Sequence, residues 1–76
     1  MIFTPDQQEM TYFAFMYGIS TGQLLDIYKV TSFVIRNKHR LNLDTVKLIG
    51  DLAKDELVKA SSRDVPMWQD FIKKLK

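Results

Sequence analysis

The residues best equipped for chemistry cluster in one stretch, Ser32-Phe33-Val34-Ile35-Arg36-Asn37-Lys38-His39-Arg40. An arginine fork matches the guanine edge and an asparagine amide the adenine edge, each through two hydrogen bonds, and a phenyl ring can lie against a thymine methyl. Ser32, Phe33, Arg36 and Asn37 are therefore expected to read bases in duplex DNA. Thr21, Lys38, His39 and Arg40 suit phosphate oxygens, which position a protein without reporting sequence. Read more plainly, Arg36 and Arg40 are an i, i+4 row on a solvated helix face. Phe33 fits a protein partner as well as a methyl group. Catalysis has no such concentration of groups. His39 is the single histidine and there is no cysteine, so one chain cannot assemble a zinc site. Asp51, Asp55 and Glu56 are interleaved with Lys47, Lys54 and Lys59, as on a solvated helix face, and Ser61-Ser62 has no base nearby. No glycine-rich phosphate loop occurs. The expectation is a binding protein that is not an enzyme and needs neither cofactor nor metal.

The charge pattern favours a polyanion. Residues 1–26 hold Asp6, Glu9 and Asp26 with no Lys or Arg, whereas residues 27–42 hold Lys29, Arg36, Lys38 and Arg40 with no acid. The remaining signs alternate, and the chain sums to +2. A local excess of four positive charges creates a field that attracts phosphates. At 76 residues, 46% of them hydrophobic and nine aromatic, the chain supports one compact core and a single domain spanning residues 1–76. The longest apolar run, Tyr12 to Tyr17, is far short of the ~20 residues that span a bilayer. With no basic start typical of a secretory signal and no cysteine, a cytoplasmic location away from membranes is expected.

The elements that must position these groups read as about five short helices, an all-α bundle. Thr4-Pro5-Asp6-Gln7 has the form of a capping box. Met10, Phe13, Ala14 and Tyr17 follow with the spacing of a buried stripe, and Gly18 is a natural stop. Ser20-Thr21-Gly22-Gln23 resembles a second box, opening a helix that points Leu24, Ile27 and Tyr28 inward. The rhythm breaks at Lys29-Val30, and Thr31 then caps a third helix over about 32–41, with Val34, Ile35 and Leu41 facing the core. Asn42 or Asp44 caps a fourth helix to Ala60, with Val46, Ile49, Leu52, Ala53 and Leu57 on one side, an Asp55–Lys59 pair, and Gly50 marking close packing. Asp64 and Pro66 begin the last helix, in which Trp68 is a core anchor alongside Phe71, Ile72 and Leu75.

Two short helices joined by a tight turn, the second of them basic, describe a helix-turn-helix made by helices two and three. The stretch Gly18-Ile19-Ser20-Thr21-Gly22-Gln23-Leu24-Leu25-Asp26-Ile27-Tyr28-Lys29-Val30-Thr31 resembles the opening of that motif in phage-repressor-like (lambda repressor/Cro, Xre-type) domains. Leu43-Asp44-Thr45-Val46-Lys47-Leu48-Ile49 is similar to the helix that follows it there. The chain departs from the family's pattern at Thr21, Leu25, Lys29 and Lys38. The resemblance implies five helices and a small transcription regulator that places the helix at about 32–41 in the major groove of double-stranded DNA. A homodimer through an apolar edge of the last helix is a further expectation. The alternative, from another class, is a phage-type small protein that binds host RNA polymerase or another transcription protein and modulates its activity.

Overall fold

The computed structural model describes all residues, 1–76, as four α-helices and one short 3-10 turn, with no strand. Helix α1 covers Pro5–Ser20, α2 Leu24–Arg36, α3 Leu43–Lys59 and α4 Val65–Leu75; the 3-10 turn is Lys38–Arg40. The chain is all-α, as expected from its sequence, but it does not divide into five helices.

The start of α1 follows from its capping box. The Thr4 hydroxyl accepts from the Gln7 N–H at 3.2 Å, and the Gln7 side chain accepts from the Thr4 N–H at 2.9 Å. The buried stripe is not the expected one. Gln8, Thr11, Phe15 and Gly18 face inward, while Met10, Phe13, Ala14 and Tyr17 face solvent. Gly18 does not end the helix, and the backbone turns at Gly22, whose φ of +69° lies in the left-handed region. Gly18 instead lets α2 approach: a Cβ built there would overlap a Val30 methyl. At the other end of α1, the Gln8 side chain donates to the carbonyls of Phe3 (3.2 Å) and Arg40 (3.0 Å) and accepts from the Asn42 N–H (3.1 Å). These two anchors, Gly18 at Val30 and Gln8 at Arg40–Asn42, make α1 and α2 antiparallel. They also explain which stripe wins, because only this rotation of α1 meets both.

Helix α2 removes the expected break. It runs without interruption through Lys29, Val30 and Thr31. Thr31 is buried, and its hydroxyl turns back to the Ile27 carbonyl at 2.8 Å, with the Tyr28 carbonyl at 3.2 Å, rather than capping a new helix. The separate helix expected over 32–41 is therefore the second half of α2 followed by the 3-10 turn. The second capping box is also replaced: Gln23 occupies the N-cap with no side-chain bond.

Helix α3 begins where the sequence indicates, with the Asn42 side chain accepting from the Thr45 N–H at 2.8 Å. Its Lys59 lies 3.7 Å from Glu56 rather than pairing with Asp55. Gly50 is not a forced close approach, since an added Cβ would meet Leu75 at an ordinary 3.6 Å. Helices α1 and α2 form one hairpin and α3 and α4 another. The two meet around Phe15, which stacks on Phe71 at 5.4 Å while Trp68 lies edge-on to both at 6.4 and 5.9 Å. Trp68, Phe71 and Leu75 are all core residues, as their spacing predicts.

Candidate nucleic-acid interface

The outward side of α2 is set by its inward one. Val30, Thr31, Val34 and Ile35 turn toward the core; Lys29, Ser32, Phe33 and Arg36 are exposed at the i, i+3, i+4, i+7 spacing of a single helix face. The exposed apolar Leu25 lies on that face one turn earlier, with Leu24 and Tyr28 exposed beside it. Three of the four expected base readers, Ser32, Phe33 and Arg36, thus share one stripe. Lys29 completes it. The expected break at Lys29 hides this residue from sequence reasoning, although its spacing to Ser32 and Arg36 was the available signal. Arg36 is not engaged by any acid; its Nε reaches only the Ser32 carbonyl one turn back, at 3.4 Å.

Asn37 stands apart. It is half-buried at the C-cap of α2, where its side-chain amide donates to the Phe33 carbonyl at 2.9 Å.

The four expected phosphate binders are not brought together. Thr21 precedes α2, whose 13 residues separate it from Lys38–Arg40 by about 20 Å. The Thr21 hydroxyl accepts from the Gln23 N–H at 3.2 Å. It lies 3.0 Å from both the Gly18 carbonyl and the Asp26 carboxylate, to one of which it donates. That carboxylate adds negative charge at the amide-rich start of α2, where an anion would otherwise be favoured. Lys38 is occupied as well. Its ammonium donates to the carbonyls of Lys74 and Lys76 at 2.8 and 2.7 Å, closing the C-terminal end of α4. His39 and Arg40 are exposed, and the Arg40 guanidinium sits 5.8 Å from the centre of the Phe3 ring. Within residues 27–42 the exposed cations beyond the stripe are therefore Arg40 and, when protonated, His39.

A groove of about 380 Å³ runs between α2 and α4, with Ile35, Met67 and Phe71 among its lining and Ser32, Arg36 and Lys74 at its polar positions. Lys74 is paired there with Asp70 at 3.0 Å. On α4, Trp68, Phe71 and Leu75 are buried, Val65, Met67 and Ile72 are half-buried, and the exposed residues are Pro66, Gln69, Asp70, Lys73 and Lys74. Exposed apolar side chains lie elsewhere: Met10, Phe13 and Tyr17 on α1, Leu25 and Tyr28 on α2, and Leu43, Leu48 and Val58 on α3. No three His, Asp or Glu side chains gather closely enough to hold a metal ion, and no helix is long and apolar enough to cross a membrane. No protein-family model, characterised protein or solved structure matches this chain.

Proposed function

We propose that the protein binds double-stranded DNA through the outer face of α2 and acts as a small transcription regulator. The carrying observation is the exposed stripe Lys29, Ser32, Phe33 and Arg36, continued past the helix by His39 and Arg40, with no acid among them. In this reading α2 is the groove-facing helix, and α1, antiparallel to it across the Thr21-Gly22-Gln23 turn, braces it as the other arm of a helical hairpin. Arg36 contacts a base edge, Phe33 a thymine methyl, and Lys29 and Arg40 the flanking phosphates.

The test is titration of a short mixed-sequence duplex at about 50 mM salt, where phosphate contacts are strong. Shifts of the backbone amides should centre on residues 29–36. Two or three phosphate contacts give a log–log salt slope of about −2 to −3, and Lys29→Ala with Arg36→Ala should remove most of the affinity. An unperturbed spectrum at that salt rejects the reading.

A second reading, binding to RNA polymerase or another transcription protein, is favoured by a different observation: Met10, Phe13 and Tyr17 stand exposed on α1. Retention of such a partner from bacterial lysate, without DNA affinity, would replace the first reading with the second.

A further inference from the structure

The face of α1 directly opposite the core carries an apolar stripe, with the exposed Asp6 at its N-terminal end. Along it Met10, Phe13 and Tyr17 are 69%, 49% and 74% exposed, with Met16 at its edge and the small Ala14 between the large side chains. Spacings of three and four residues give the seam by which one helix packs on another. We infer that this face is covered by a second copy of the chain, with the two α1 helices antiparallel about a twofold axis. This assembly is independent of whether α2 binds DNA, and it excludes the second reading above, which gives the same face to a different protein.

The self-complementarity of the stripe carries the inference. In a twofold contact, whatever residue i meets, its counterpart meets residue i in return. If residue n of one helix lies opposite residue 27−n of the other, Phe13 of each copy lies over Ala14 of the other, so bulk meets space at both symmetry-related positions, and Met10 packs along Tyr17 on either side. Charge selects the same direction. Asp6 and Glu9 are the only charged residues of α1. A parallel pair would stack each on its own copy. The antiparallel register separates the two Asp6 positions by 15 residues, about 22 Å along the helix axis and well beyond a screening length of about 8 Å.

The area is small. With about 200 Å² for a fully exposed side chain of this size, complete burial of these exposures gives roughly 460 Å² per copy, or about 920 Å² for the pair. That is the size of a weak, transient contact rather than of a permanent dimer.

Sedimentation of the full chain from about 10 µM to 1 mM, a range that brackets the weak association expected of so small a contact, should show a mass rising from 8.9 kDa toward twice that value. Phe13→Glu should hold it at 8.9 kDa with unchanged helical circular dichroism, since the side chain faces solvent in the single copy. The register has its own readout, helped by the absence of native cysteine. A mixture of Met10→Cys and Tyr17→Cys chains should form a mixed disulfide. Met10→Cys alone should not, because its two copies lie about 10 Å apart along the axis, beyond disulfide reach. A mass fixed at 8.9 kDa across the range overturns the proposal and leaves the face to a different protein. A Phe13→Glu chain that still dimerises, or Met10→Cys that cross-links to itself as fast as to Tyr17→Cys, overturns it too.

Discussion

At the scale of single residues, Gly18 holds the first hairpin together by having no side chain. A glycine inside a helix ordinarily costs about 1 kcal/mol relative to alanine, so Gly18→Ala would be stabilising in an isolated helix. Here the added Cβ overlaps one Val30 methyl and falls 2.9 Å from the other and 3.2 Å from its Cβ. A valine held at χ1 in a helix cannot rotate clear of all three. Overpacking of about 1–3 kcal/mol outweighs the propensity gain, and Gly18→Ala should destabilise the protein by about 1–2 kcal/mol net in urea unfolding. Val30→Ala in the same chain should recover much of that loss, because the two sites are in contact and their effects do not add. A stabilised Gly18→Ala protein would mean that α1 and α2 do not meet at this point.

At the scale of elements, the continuity of α2 is the feature on which the candidate site depends. It can be tested at Thr31. Were Thr31 a cap, Thr31→Val would lose a side-chain bond to a helix N–H and cost about 1 kcal/mol. In the continuous helix the hydroxyl adds a second bond to carbonyls of the preceding turn, and the side chain is buried. Exchanging it for a methyl should therefore change stability by less than about 0.5 kcal/mol or raise it, as measured by thermal unfolding. The same position shows why only part of the fold was legible. The capping box at Thr4, the Asn42 cap and the Trp68–Phe71–Leu75 face are local signals, and each appears in the structure. Whether Thr31 caps forward or bonds backward depends on its being buried, which is a tertiary fact. The α1 stripe differs from its expected position for a related reason. Tyr12 to Tyr17 is apolar on every side, so its periodicity fits two rotations. The choice between them lies in long-range contacts, Gly18 with Val30 and Gln8 with the turn at Arg40. At the site, Ser32, Phe33 and Arg36 were legible from their spacing alone, whereas Lys29 depended on the missing break. The engagement of Lys38 with the end of α4 links residues 36 and 38 positions away, and no local pattern reports it.

At the scale of the whole molecule, two helical hairpins share one small core, and their joint stability rests on few side chains. Phe15 of the first hairpin is fully buried against Trp68 and Phe71 of the second. At about 0.05–0.15 kcal/mol per residue, a chain of this length holds only about 4–11 kcal/mol in total. Truncating a buried phenylalanine costs about 3–5 kcal/mol. Phe15→Ala should therefore remove much or all of the folding free energy from a substitution in α1 alone. It should also do so in both hairpins together, because neither buries its apolar side without the other. Trp68 is the sole tryptophan and lies in α4, so its fluorescence reports the second hairpin, while far-ultraviolet circular dichroism reports all four helices. In the unsubstituted protein the two should trace one coincident urea transition, and in Phe15→Ala both midpoints should fall by the same amount. Separated transitions, with the tryptophan signal unmoved by the substitution, would show α3 and α4 standing as an independent unit. The α2 stripe would then be mounted on the first hairpin alone, without the support of α4 that fixes its inward side.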